Sequence, residues 1–230
     1  MSKLRLITIT AALTLGLLAS TASADMTLTL THVFAGTDLQ GTQPWITLDF
    51  TEGPSAGTVA IRIDTSNLVE DEFLSELYLN VAAPLVVTDL MVSVTSQVGT
   101  FALPTVYQAT DAYKAGGDGR YDLFLDFATK KADRFDTGDE LLLLVTGPGG
   151  GPLTGLTPES FYDFSKPDGG HGPFIAAAHI QAIGENDEQS AWIAAGDGGG
   201  GVIPFPEPAT LLLLGVTAPA LLMKSKKVRR

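Results

Sequence analysis

Cysteine is absent from the chain. Its absence removes disulfides, thiolate metal centres and cysteine nucleophiles, so any fold must be held by packing alone. Positive charge is also scarce, with 14 Lys and Arg against 26 Asp and Glu and a formal net charge of -12. The few cations sit mostly at the ends: Lys3 and Arg5 near the start, and Lys224, Lys226, Lys227, Arg229 and Arg230 at the finish. Seven therefore remain between Asp25 and Pro208, a stretch that holds all 26 acids and carries 7 minus 26, or -19. Nucleic acid is excluded as a partner, because phosphate recognition needs clustered cations. Histidine occurs only as His32, His171 and His179. Neither an H-E-x-x-H zinc motif nor a G-x-S-x-G nucleophile elbow is present. No helical period is long enough to cover a parallel sheet.

What the chain does contain is organised in three parts. Met1 to Ala24 has the zones of a secretory signal: Lys3 and Arg5, an apolar stretch from Leu6 to about Leu18, then Ala22-Ser23-Ala24. Small residues at Ala22 and Ala24 suit a signal peptidase and predict Asp25 as the mature N-terminus after Sec export. A retained N-terminal anchor is the alternative, disfavoured by the shortness of the apolar run.

The body, residues 25–196, predicts about nine strands and an all-β antiparallel β-sandwich or jelly roll. Met26, Leu28 and Leu30 alternate with threonines, and Ile46, Leu48 and Phe50 with Thr47 and Asp49. Val59, Ile61 and Ile63 follow a Gly-Pro turn, which predicts a hairpin. Leu68 to Leu74, with Glu70-Asp71-Glu72, is expected to cross the surface. Leu77, Leu79 and Val81 resume the strand period, and Val-rich Leu85 to Thr95 is expected to be a more central strand. Asp111 to Gly119 is expected to be a polar loop leading to a strand over Tyr121, Leu123, Leu125 and Phe127, with Asp122 and Asp126 on its solvated side. A turn at Asp136-Thr137-Gly138-Asp139 leads to a buried run Leu141 to Val145, and Gly147 to Pro152 breaks the chain. One helical turn is expected at Thr157-Pro158-Glu159, in an otherwise irregular segment from Leu153 to Gly172. Phe174 to Ile183 and Ala191 to Ala195 complete the strands. Residues 197–205, rich in Gly and Pro, read as a flexible spacer.

The tail, residues 206–230, joins Pro206-Glu207-Pro208 to the apolar run Ala209 to Met223 and the basic residues 224–230. Fifteen residues make a helix of about 22 Å, short for a hydrocarbon core of about 30 Å. The terminal cations predict a cytoplasmic end, with the acidic body outside. This order resembles the PEP-CTERM sorting signal of Gram-negative bacteria, which also carries a label taken from ice-binding proteins. The resemblance implies recognition of Pro206, Glu207 and Pro208 by an exosortase, a membrane-embedded cysteine transpeptidase. It also implies transient inner-membrane anchoring, then transfer to the outer surface or the exopolysaccharide matrix. An ordinary C-terminal anchor is the alternative. More weakly, residues 132–139, 177–184 and 190–194 resemble ectodomains found in some PEP-CTERM proteins, whose function the resemblance leaves unassigned.

In the body no catalytic residue is assigned. Asp111, Asp118 and Asp122 around a Gly-rich segment, with Asp136 and Asp139 in a tight turn, are the candidate ligands for calcium, which favours hard oxygen donors on loops. Turn-forming aspartates explain the same residues more simply. Trp45, Tyr107, Tyr113, Tyr121 and Trp192 are candidates for a face that stacks on sugar rings, with core packing as the competing explanation. His179 is expected to be a partly buried, hydrogen-bonded histidine. The expected function is that of an exported, non-enzymatic surface or matrix protein with a structural, adhesive or polysaccharide-associated role. The alternatives are a secreted carbohydrate-active enzyme and a calcium-dependent adhesin.

Overall fold

A computed structural model of the protein describes residues 25–195. The signal segment with its Ala22-Ala24 cleavage site, the spacer and the whole sorting tail lie outside the described residues. The body is all-β, with thirteen strands and only short 3-10 turns among the described residues. They form two antiparallel sheets, curled around one main core.

The smaller sheet contains five strands in the order β1-β3-β4-β10-β6: β1 (Met26–Leu30), β3 (Ile46–Glu52), β4 (Val59–Asp64), β10 (Glu140–Thr146) and β6 (Met91–Val98). The predicted alternation is borne out. Leu28, Leu48 and Ile63 lie in register across three strands and are all at 0% exposure. Fully burying such a side chain contributes about 1.5–3 kcal/mol. The hairpin β3–β4 is present, with Leu48 opposite Ile63 and Phe50 opposite Ile61.

The larger sheet has eight strands. Its main path is β11 (Lys166–Pro167), β8 (Gly119–Asp126), β5 (Phe73–Leu79), β12 (Ala176–Ile183), β13 (Gln189–Ala195) and β2 (His32–Gly36). Strand β7 (Thr105–Ala115) pairs with β8, and β9 (Phe135–Asp136) pairs with β5. The inner face of this sheet, with Leu77, Leu125, Ile180 and Ile193, meets Leu28, Ile61 and Leu143 of the smaller one in a single cluster. Phe161, from the 3-10 turn Pro158–Phe161, stacks on Phe50 at 5.2 Å. That turn is the helical opening expected from the sequence, capped reciprocally by Thr157 and Ser160.

Four expectations are corrected. Leu68 to Leu74 does not run over the surface: Leu68, Glu72, Phe73 and Leu74 are buried, because the Glu72 carboxylate accepts the N–H groups of Gln40 and Val69 and so can lie inside. Leu85 to Thr95 is not a central strand. Val87–Asp89 is a 3-10 turn, and β6, which follows it, is an edge strand of the smaller sheet. Asp111 to Gly119 is not a loop, since Asp111 to Ala115 belong to β7 and Tyr113 pairs with Tyr121. Asp122 is not on a solvated side. It is buried under a break in the β7–β8 register, where Gln108 faces Leu123 but the next pair is Tyr113 with Tyr121. The run Leu141 to Val145 is also less uniform than expected: Leu141, Leu143 and Val145 are in the core, while Leu142 and Leu144 are half-buried on the outer face.

Candidate aromatic site on the outer sheet face

The outer face of the larger sheet carries a second apolar cluster of Phe34, Tyr78, Ala115, Tyr121, Phe174, Ala177 and Ala194. Strand β5 is buried on both sides for this reason. Leu74, Leu77 and Leu79 enter the main core, and Tyr78 enters the outer cluster. The cover is the end of the β7–β8 hairpin, whose Gly116 lies so close to Trp192 that a Cβ there would meet the indole at 2.5 Å. Asp118 fixes this hairpin end. Its carboxylate accepts hydrogen bonds from the Tyr121 hydroxyl and from Ser165 Oγ (3.1 Å), and burial raises its pKa despite both bonds.

Register builds the rest of the face. Tyr107 on β7 lies opposite Phe124 on β8, which lies opposite Tyr78 on β5. Their rings stack at 5.4 Å and 15°, then 4.8 Å and 9°. In the neighbouring row Asp126, Glu76, His179 and Trp192 are successive cross-strand partners. The His179 ring stacks on Trp192 at 4.5 Å and 8°. Side chains stand roughly perpendicular to a sheet, so near-parallel rings on adjacent strands stack like books on a shelf. Each ring's face is covered by its neighbour. Tyr107 ends the row and, at 42% exposure, keeps an open side. Tyr113, half-buried, leans against it at 6.2 Å and 47° and forms a corner.

The five aromatic candidates therefore divide. Trp45 is in the core and donates Nε1–H to the Gly41 carbonyl (2.9 Å). Tyr121 is fully buried, and Trp192 is packed between His179 and Gly116. Tyr107 and Tyr113 remain at the surface. Asp126 lies on the solvated side of β8 as the sequence predicted, whereas sequence reasoning missed Phe124, Tyr78 and Glu76. The alternation of Phe124 between Asp122 and Asp126 was a usable signal, since a phenylalanine on the polar side of a strand needs company.

Two carboxylates lie in the row next to Tyr107: Asp126 on β8, opposite Thr105, and Glu76 one strand further in on β5. Tyr78 Oη donates to Glu76 Oε2 at 2.6 Å, and burial, aided by this bond, raises the tyrosine pKa well above its usual value. Among the described residues neither carboxylate has a cation within 4.0 Å. A register irregularity between His179 and Ile180 leaves Ser75 as an extra residue beside Glu76. Ser75 Oγ lies 3.0 Å from the His179 carbonyl and 3.2 Å from Nδ1, and accepts a hydrogen bond from Gln181 Nε2 (3.1 Å). His179 is thus a half-buried, hydrogen-bonded histidine, and burial lowers its pKa, with Glu76 opposing. The Ser75–His179 contact is not a nucleophile pair, because Ser75 is 1% exposed and its hydroxyl is engaged by two other groups.

The calcium candidates occupy two separate places. Asp122 accepts the N–H of Asp111 (2.7 Å) and of Val81 (3.0 Å), and the Asp111 carboxylate pairs with Lys166 (3.1 Å). Asp118 is bound as described above. In the other turn, Asp139 accepts the N–H of Asp136 (2.9 Å), and Thr65 caps the Asp136 and Asp139 carbonyls. Four of the five carboxylates, those of Asp111, Asp118, Asp122 and Asp139, thus already accept protein donors. Among the described residues no group of three or more His, Asp or Glu side chains is arranged to hold a metal ion.

Comparison with family models, curated proteins and solved structures returns no match to this chain. Function is therefore argued from the residues themselves.

Proposed function

We propose that this is an exported, non-enzymatic surface or matrix protein that contacts exopolysaccharide through the tyrosine corner of its larger sheet. The tail Pro206-Glu207-Pro208, the apolar run and the cationic end supply the sorting, through exosortase processing of the PEP-CTERM type. The finer architecture fits a two-layer sandwich, preceded by a cleaved signal and followed by a membrane helix. The observation that carries the binding reading is Tyr107. It terminates a three-ring stack with an open, 42% exposed side. An aromatic ring held rigidly by its neighbours gives a sugar a stacking surface at low entropic cost. The carboxylate of Asp126, on the neighbouring strand opposite Thr105, can accept sugar hydroxyl hydrogen bonds near it.

Tyr107→Ala tests this directly. Removing a surface ring leaves the core intact, so the melting temperature should stay within a few degrees while binding to purified exopolysaccharide falls about tenfold, the effect of about 1.4 kcal/mol. Unchanged binding refutes the corner as the contact. Sorting is tested separately: Glu207→Gln should leave the unprocessed form in the membrane fraction.

A second reading, a carbohydrate-active enzyme, is favoured by one observation. Glu76 and Asp126 are direct cross-strand partners, and such Cβ atoms lie about 4.5–5.5 Å apart. Paired carboxylates are what glycoside hydrolysis uses. Release of reducing ends by the wild type, lost in Glu76→Gln, would establish it in place of the binding role.

A further inference from the structure

Among the described residues β6 pairs only with β10, so its other side is an open edge of the smaller sheet. Natural sheets blunt such edges with charge, proline or short length. Strand β6 has eight residues, no proline and no charge. It lies in the twenty-one residues Leu90 to Thr110, which contain no Asp, Glu, Lys or Arg and form the longest such stretch in a chain of 40 charged residues. Other edges differ: β1 and β2 have five residues each, β11 has two including Lys166 and Pro167, and β7 carries Asp111 and Lys114.

The one edge-protecting device in β6 is a bulge, and it has a second effect. Leu142 faces Ser96 and Leu143 faces Val94, so Thr95 is the extra residue. The core side chains Leu141, Leu143 and Val145 lie opposite Gln97, Val94 and Val92. The outward residues Glu140, Leu142, Leu144 and Thr146 lie opposite Val98, Ser96, Ser93 and Met91. The bulge thus places Met91, Ser93, Ser96 and Val98 on one face. Antiparallel pairing of two copies about a twofold axis requires partners to share a face. With the bulge, Met91 can face Val98, Val92 can face Gln97 and Ser93 can face Ser96, each pair on a common side. Without it the same partners would point to opposite sides. Met91 and Val98, 47% and 55% exposed, would cover one another.

We propose that β6 is a self-association edge that joins two copies of this chain, antiparallel about a twofold axis, into a continuous sheet of ten strands. The register that pairs β6 with itself argues for a second copy as the occupant, and charge restricts where that copy can dock. Two strongly acidic bodies repel over most of their surface, and this edge is where contact costs least. The self-complementary register supplies the specificity. Neither glycan contact nor sorting is required.

The absence of cysteine makes the test clean. In full-length protein, Ser93→Cys with Ser96→Cys should form a covalent dimer under mild oxidation. Within one copy the bulge sets the two sites opposite Leu144 and Leu142 on the same face, about 7 Å apart, which is the far reach of a disulfide, so monomer is scored only where both thiols remain free. Met91→Cys with Ser93→Cys, which mispairs in the proposed register, should form at least about fivefold less dimer, and so should the first pair when Met91→Lys and Val98→Lys set like charges opposite one another. Monomer alone from the first pair with a wild-type circular dichroism spectrum, or equal dimer from the mispaired control, overturns the proposal. Should the cysteine variants misfold, sedimentation in non-ionic detergent decides between wild type and Met91→Lys/Val98→Lys. A wild-type protein mass twice that of the lysine variant supports the edge, and equal masses refute it.

Discussion

Asp122 sits where a carboxylate is both costly and needed. Burial raises its pKa, and in return its two oxygens take the N–H groups of Asp111, inside the β7 irregularity, and of Val81, just past the end of β5. Asp122→Ala leaves two enclosed donors unsatisfied and should cost about 2–4 kcal/mol in urea unfolding. Asp122→Asn keeps one acceptor and should cost about half as much. A cost under about 1 kcal/mol for the alanine variant would show that water replaces the carboxylate. Arg62 is a contrasting case, with Asp49 (3.3 Å), Asp64 (2.8 Å) and Glu140 (2.6 Å) around one half-exposed guanidinium on the outer face of the smaller sheet. Solvent screens that cluster, and its contribution to stability is correspondingly modest.

At the scale of elements, the end of the β7–β8 hairpin decides whether the outer face is a surface or a small core. Gly116 has φ +43° and its missing Cβ is what lets the turn lie on Trp192. Gly116→Ala should therefore destabilise by about 1–3 kcal/mol through both strain and overpacking, and should shift the Trp192 fluorescence while the buried Trp45 is unaffected. Gly117→Ala is the control: φ is +89° with nothing within 4 Å, so only backbone strain of about 1 kcal/mol applies. Equal effects from the two variants would mean that the indole contact carries no energy. This hairpin was also where the sequence was hardest to read. Strands with one buried face, such as β1, β3 and β4, announce themselves by strict alternation, because each side meets a single environment. Strand β7 alternates weakly, since its outer half is exposed and its inner half is broken by the four residues from Ala109 to Ala112 opposite Asp122. Likewise the valines of β6 suggested burial, although valine is as much at home on a half-open edge as in a centre. Tyr107 and Tyr113 are among the stacking candidates, but the ring stack behind Tyr107 could not be foreseen, because it depends on the register of the β7–β8 hairpin against β5, an earlier strand.

The whole molecule carries its acidity with little compensation. All seven cations among the described residues are engaged, six in ion pairs and Arg134 over the Phe73 ring at 4.0 Å. Stability should therefore depend on pH in an unusual direction. Burial raises the pKa of Asp118, Asp122 and Asp139 above the ordinary 3.8, so the folded chain takes up protons before the unfolded chain does. Their penalty is fully present above the raised values and is relieved as pH falls through them toward 3.8. His179 acts oppositely, losing stability as pH drops from 6.5 through its lowered value. Asp64, whose burial is outweighed by Ser66 and Arg62, loses stability below 3.8. The melting temperature should therefore rise as pH falls through the raised carboxylate values toward 3.8, against the loss from His179 that begins below 6.5, and should drop below about pH 3.8 as Asp64 is protonated. A monotonic decline from pH 8 would show that His179 dominates.

The last strand adds a mechanical consequence. The described chain leaves through Ala195 at the end of β13, which is held on one side by β12 and on the other by β2. A pull applied from beyond Ala195 along the strand loads both ladders in shear, with their hydrogen bonds resisting together, where an edge strand would peel away one bond at a time. The position of β13 between two strands thus sets a high resistance to tension applied at Ala195.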